Sequence, residues 1–153
     1  MSTWVIMRVV QMYSKDMLIG IVLSHFNFYI DISLDTSRKI GYKTRIYTKV
    51  YGSREFVEAI DRSLQQHGIY SKRSLSYCYG NTRRNTYSLT ISKIDLLSKL
   101  ISLMPNIPNR NNDLELTREA ISLVSKKAHL TWKGLQRLMM IKEMKAHGFN
   151  DYE

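Results

Sequence analysis

Hydrophobic and polar positions alternate with a period of two in two neighbouring stretches of the chain. In Asn27–Leu34, Phe28, Ile30, Ile32 and Leu34 share one face of a predicted strand, and Asn27, Tyr29, Asp31 and Ser33 the other. In Tyr42–Tyr51, Lys43, Arg45, Tyr47, Lys49 and Tyr51 share one face, against Tyr42, Thr44, Ile46, Thr48 and Val50. The β-branched and aromatic content supports strand over helix. The turn Ser37–Gly41 joins the two as a hairpin with a basic tip. A second predicted pair runs Ile69–Tyr79 and Thr86–Ser92, joined through Gly80–Asn85. In its last strand Tyr87, Leu89 and Ile91 face inward, and Ser88, Thr90 and Ser92 outward.

Helical spacing separates and follows these hairpins. Ser53 is a suitable N-cap for a helix over Arg54–His67, with Glu55 in its first turn and Gly68 at its stop. Phe56, Ile60 and Leu64 form its apolar stripe. A short helix is expected over Ile94–Leu103, then a loop over the Asn- and Pro-rich Pro105–Asp113. Two amphipathic helices follow, Thr117–Ala128 and Thr131–His147, the second capped by Thr131. No repeat of solenoid type is present. The expectation is one domain over residues 1–153, with an N-terminal extension over 1–13 and a flexible tail over 148–153.

Composition narrows the functional classes. Of the 153 residues 44% are apolar, with two prolines and seven glycines, which argues for a sizeable core and against disorder. Lys and Arg number 23 against 13 Asp and Glu, a net charge of +10 that favours nucleic acid or an anionic surface as partner. Cys78 stands alone, so neither a disulfide framework nor zinc-ligand spacing is available. The apolar run Met17–Leu23 is far shorter than the roughly 20 residues a bilayer span needs. Trp4–Tyr13 is interrupted by Arg8 and Gln11 and lacks a small-residue cleavage site. A soluble, intracellular protein, cytoplasmic and without a membrane role, is therefore expected.

The location of the charge says more than its sum. No acidic residue occurs from Thr36 to Arg54, where Arg38, Lys39, Lys43, Arg45, Lys49 and Arg54 fall. None occurs from Arg62 to Ile94, where Arg62, Lys72, Arg73, Arg83, Arg84 and Lys93 fall. Charge serving solubility alone would mix the signs. Lysines and arginines alternating with tyrosines on one strand face suit a surface laid against nucleic acid, cations on phosphates and long donors on base edges. Arg83 and Arg84 at the second hairpin tip fit a phosphate clamp. Asp31 and Asp35 interrupt this surface and could accept from cytosine amino groups or order neighbouring arginines.

Ahead of the first hairpin lies Lys15-Asp16-Met17-Leu18-Ile19-Gly20-Ile21-Val22-Leu23-Ser24-His25-Phe26. Read as a helix, it places Gly20 and Ser24 four apart on one face, allowing close approach of another backbone. Leu18–Phe26, followed by strand–strand–helix–strand–strand–helix, resembles the motif and element order of the LAGLIDADG homing endonucleases, especially the variant L-I-G-L-I-L-S-D-G. Ser53–Ile69, Tyr87–Leu103 and Leu116–Lys145 also resemble stretches of compact single-motif members. The resemblance implies an α+β fold, αββαββα(α), with a four-stranded antiparallel DNA-binding saddle and helices on its other face. It implies a homodimer whose motif helices meet at Leu18, Gly20, Ile21 and Ser24, reading a pseudo-palindromic double-stranded DNA site. Arg38, Lys39, Lys43, Arg45, Tyr47, Lys49, Lys72, Arg73, Arg83 and Arg84 would supply the contacts. Lys93 matches a basic residue of the family's catalytic pocket.

One position departs from the family. The motif's metal-binding acid is replaced by His25, and its final glycine by Phe26, a side chain expected to crowd the approaching phosphates. Imidazole is a poor substitute for the oxygen ligands magnesium prefers, so Mg²⁺ is expected only if cleavage is retained. The expected function is sequence-specific binding of double-stranded DNA with cleavage lost or reduced. The alternatives are an active metal-dependent endonuclease and an RNA-binding splicing maturase; the narrow A-form major groove disfavours RNA for such a sheet.

Overall fold

The computed structural model describes residues 12–77, 85–106 and 112–147. Ser14 opens the first helix, α1 (Lys15–His25), by accepting from the Met17 N–H, and extended backbone at Phe26 ends it. Strands β1 (Asn27–Leu34) and β2 (Tyr42–Gly52) follow. Ser53 caps α2 (Arg54–Gln65) by accepting from Phe56 N–H, as its position in the sequence predicts. Then come β3 (Lys72–Tyr77), β4 (Asn85–Ile91), α3 (Ile94–Leu103) and α4 (Asn112–Ser125). A 3₁₀ turn (Ala128–Leu130) leads into α5 (Trp132–His147), which Thr131 caps by accepting from Gly134 N–H at 3.1 Å. The fold is α+β, and the strands lie in the order β1-β2-β4-β3.

The chain divides into two compact units, and β2 runs from one into the other. The first contains residues up to Asn27 with Thr48–Ile91. In it the second half of β2 pairs antiparallel with β4, and β4 with β3; α2 packs against β4 and α1 against α2. Its buried residues include Leu18, Val22, Val50, Ile60, Leu64 and Leu89. The second unit contains Phe28–Tyr47 and the residues from Ser92 on. There α4 packs against α3 and α5, burying Leu97, Leu100, Ile121, Leu135, Leu138 and Ile141.

Several boundaries differ from the sequence expectation. Helix α2 stops at Gln65 rather than His67, because Gly68 adopts φ +74° and its N–H returns to Gln65 while Ile69 N–H returns to Leu64. Strand β3 begins at Lys72 rather than Ile69, since the residues before it are tied to α2: Ile69 is buried and Ser71 donates to buried Asp61 at 2.6 Å. Helix α4 begins at Asn112, five residues before Thr117, so the predicted loop is shorter; Leu114 and Leu116 are buried on its first turns. It ends at Ser125, and Lys127, in left-handed conformation at φ +61°, turns the chain. The tail from 148 and the predicted extension up to residue 11 lie outside the described residues.

Candidate nucleic-acid interface

The alternation read from Tyr42–Tyr51 is the geometry of β2. Ile46, Thr48 and Val50 are buried, and Lys43, Arg45 and Tyr51 are exposed, with Tyr47 and Lys49 half-covered in the same phase. In β1, Ile30 is buried and Tyr29, Asp31 and Ser33 are exposed. Leu34 departs from its predicted inward phase, standing 72% exposed at the strand's end.

Within the second unit, the hairpin between β1 and β2 is locked by Asp35. Its carboxylate accepts from the Ser37 hydroxyl at 2.6 Å and the Ser37 N–H at 3.1 Å, and pairs with Arg38 Nε at 3.2 Å. The Ser37 hydroxyl, then the Ser37 backbone and Arg38, hold the carboxyl below its ordinary range. Asp35 N–H donates to Gly41, whose φ of +83° is a conformation that favours glycine. Arg38 is thus oriented by an acid, one of the two roles expected for Asp35, while Lys39 beside it is exposed. Tyr29 and Tyr47 stack at 5.0 Å between centroids with planes 23° apart, and Arg45 Cζ lies 4.6 Å from the Tyr47 centroid.

Within the first unit, register sorts the remaining cations. Lys49 pairs with Thr90 and Thr90 with Lys72, so these three positions form one cross-strand row. Val50, Leu89 and Arg73 form the adjacent row, whose Val50 and Leu89 are buried. Tyr51, Ser88 and Ser74 make the next row. Ser88 is only 3% exposed. Arg83 and Arg84 lie outside the described residues.

The motif helix places its small residues outward. Gly20 and Ser24 are exposed, nothing lies within 4 Å of a Cβ built on Gly20, and Met17 beside them is 56% exposed. Ile21 is half-buried, and Leu18, expected on this face, is 1% exposed in the unit's own core, which removes it from any surface.

The donors at the end of α1 are the Ser24 hydroxyl and the His25 imidazole. Ser24 Oγ donates to the Gly20 carbonyl at 2.7 Å and lies 2.7 Å from His25 Nδ1. The imidazole ring sits 5.7 Å from the Phe56 ring. Phe26 is buried, so it packs inward rather than crowding a phosphate as the sequence suggested. Among the described residues no three His, Cys, Asp or Glu side chains gather in a metal-binding group. One imidazole beside a serine hydroxyl, without a carboxylate, does not fit a magnesium ion. Lys93 is exposed at the N-cap of α3 and makes no capping hydrogen bond with its side chain.

Sequence reasoning missed two contacts beside the hairpin. Trp132 packs edge-on to Tyr42 at 6.3 Å, and His129 lies close enough to Arg38 to feel its charge. Burial first, then Arg38, pushes the His129 imidazole below its ordinary range, and its Nδ1 is buried without a hydrogen-bond partner among the described residues. Neither contact has a local sequence signal, since each joins segments about 90 residues apart.

No family model matches the sequence. It is 26% identical over 135 residues to a probable intron-encoded endonuclease 3 of Neurospora crassa, covering 86% of this chain and 24% of that protein. Among solved structures it resembles the homing endonuclease I-TnaI with a TM-score of 0.71 and 19% identity, covering 92% of this chain and 93% of that one. It resembles I-SmaMI, bound to an uncleaved DNA target in the presence of calcium ions, at 0.72 and 18%, covering 90% of this chain and 46% of that one. For the LAGLIDADG meganuclease I-CpaMI, bound to uncleaved DNA, the values are 0.68 and 20%, covering 85% of this chain and 44% of that one. The chain thus spans about a quarter of the Neurospora protein and just under half of the two meganucleases. Its fold is that of LAGLIDADG homing endonucleases.

Proposed function

We propose that this chain is a sequence-specific double-stranded DNA-binding protein of homing-endonuclease descent in which cleavage is lost or severely reduced. The single observation carrying the DNA reading is strand β2, whose outward phase holds Lys43, Arg45, Tyr47 and Lys49 while Ile46, Thr48 and Val50 are buried. Ten strand residues at roughly 3.3 Å each extend over about 33 Å, close to one duplex turn. On such a strand the lysines serve phosphates, which fix register without reading sequence, and arginine reaches base edges. The relatives crystallised on DNA support the same partner.

The lost-cleavage reading rests on His25. Phosphodiester hydrolysis at a metal needs hard oxygen ligands to hold the ion and lower the pKa of its water. The described residues at the end of α1 offer an imidazole hydrogen-bonded to Ser24 and a buried phenyl ring. Such a chain would retain its grip on DNA, while its described residues there offer no donor set for cutting it.

A homodimer follows from the same reading. The outward face of α1, with Gly20 and Ser24 beside exposed Met17, allows a second helix to approach closely, and two copies would read a pseudo-palindromic site. The decisive experiment selects duplexes from a random pool and incubates the winners with Mg²⁺ or Mn²⁺. Enrichment of a two-fold-related sequence that stays intact is the expected result. Robust double-strand cutting overturns the loss of activity, and failure to enrich any duplex overturns the DNA reading.

A further inference from the structure

The cations on the outward phase of β2 are not equivalent. Lys43 is a flexible point charge on an exposed stem. Arg45 is seated over the Tyr47 ring, and Tyr47 is itself stacked on Tyr29 of the neighbouring strand. All three belong to the second unit. Cation–π attraction and stacking hold a guanidinium in one orientation before any ligand arrives, so less rotamer freedom is lost when its N–H fork engages. Among the described residues no carboxylate forms an ion pair with Arg45, whereas Arg38 is paired with Asp35. Arg45 therefore keeps its donors for an external acceptor pair.

We infer that Arg45 is the base-reading residue of this strand, that its ligand is the N7/O6 edge of a guanine in the major groove, and that Tyr47 and Tyr29 are positioning residues. Guanine is the base that presents two acceptors side by side there, matching a planar fork of donors. Adenine offers an acceptor beside a donor, which the guanidinium cannot satisfy. A lysine reaches either acceptor but without the paired geometry, so its preference is weaker. This assignment rests on the duplex-DNA reading given above and adds to it which side chain reads which base.

The test selects duplexes from a random pool with the unaltered chain and with Arg45→Lys, Tyr29→Ala and Tyr29→Phe. The unaltered chain is expected to require one guanine per half-site. Arg45→Lys is expected to lower the preference for that base by about tenfold. Tyr29→Ala is expected to lower it several-fold while leaving the salt dependence of binding unchanged, and Tyr29→Phe, which keeps the ring face, to restore it. A purely structural role for Tyr29 would instead lower affinity for all sequences alike, and that result overturns the positioning role. An unchanged base profile with Arg45→Lys overturns the guanine assignment and leaves the DNA reading standing. Enrichment of no duplex by the unaltered chain overturns both.

Discussion

At the scale of single residues, the proposed binding surface divides into side chains that would attract a polyanion and those that would discriminate. Lys43 belongs to the first kind, being exposed and on the outward phase of β2. Lys43→Ala is expected to weaken binding alike on every duplex, and to make the slope of log affinity against log salt shallower by about 0.9, the signature of one lost phosphate contact. Titrations at several salt concentrations check this; a loss confined to one sequence would assign Lys43 to base reading. His25 is the other decisive residue. His25→Asp places a carboxylate ligand at the end of α1, and Mn²⁺-dependent nicking of a selected duplex is expected to appear. The companion change Phe26→Gly, reasonable from the sequence alone, is a poor one, because Phe26 is buried and its deletion is expected to cost about 3–5 kcal/mol.

At the scale of elements, the junction between α4 and α5 is built to tight tolerance. A Cβ on Gly134 would lie 1.9 Å from the Ala128 carbonyl oxygen, so Gly134→Ala forces backbone to move. A loss of about 2 kcal/mol or more is expected in urea unfolding, although glycine to alanine within a helix is ordinarily stabilising. The same junction carries His129. Its folded pKa is depressed, so the unfolded chain binds the proton first, and the stability it supports is present above the ordinary imidazole value of 6.5 and lost as pH falls through that region. His129→Phe is expected to flatten the dependence of the unfolding midpoint between about pH 7.5 and 5.5. Glu119, held low by its hydrogen bonds from Arg137, acts in a separate window below its ordinary value of 4.5. Equal slopes for the two proteins would remove His129 from the account. This junction also marks where sequence reasoning fails. Capping at Ser53 and Thr131, the phase of β2 and the stop at Gly68 are local events, legible because each depends on a few adjacent residues. The start of α4 was hidden because Asn111, Asn112 and Asp113 read as a loop, while burial of Leu114 and Leu116 against other elements decides the helix. The stack of Tyr29 on Tyr47 and the approach of His129 to Arg38 are set by strand register and tertiary packing, which no local pattern encodes.

At the scale of the whole molecule, the proposed dimer makes a demand on α1 that a monomer does not. Within the chain Leu18 and Val22 are buried, whereas Gly20 meets nothing within 4 Å of its missing Cβ. A leucine there has room in the monomer, and because it replaces glycine inside a helix its intrinsic cost to folding is negative, by roughly 0.8 kcal/mol. Across a close helix pair the same side chain would appear twice, once from each copy, and would hold the backbones apart. Gly20→Leu is therefore expected to leave the unfolding midpoint unchanged or raised while sedimentation velocity shows the species of 18.0 kDa in place of a dimer. Loss of the dimer should also divide the phosphate contacts of the complex between two independent events. The salt slope on a full selected site is then expected to fall by about half, and the preference for two-fold-related half-sites to disappear. A Gly20→Leu protein that still sediments as a dimer and keeps the full slope would show that the copies associate through another surface.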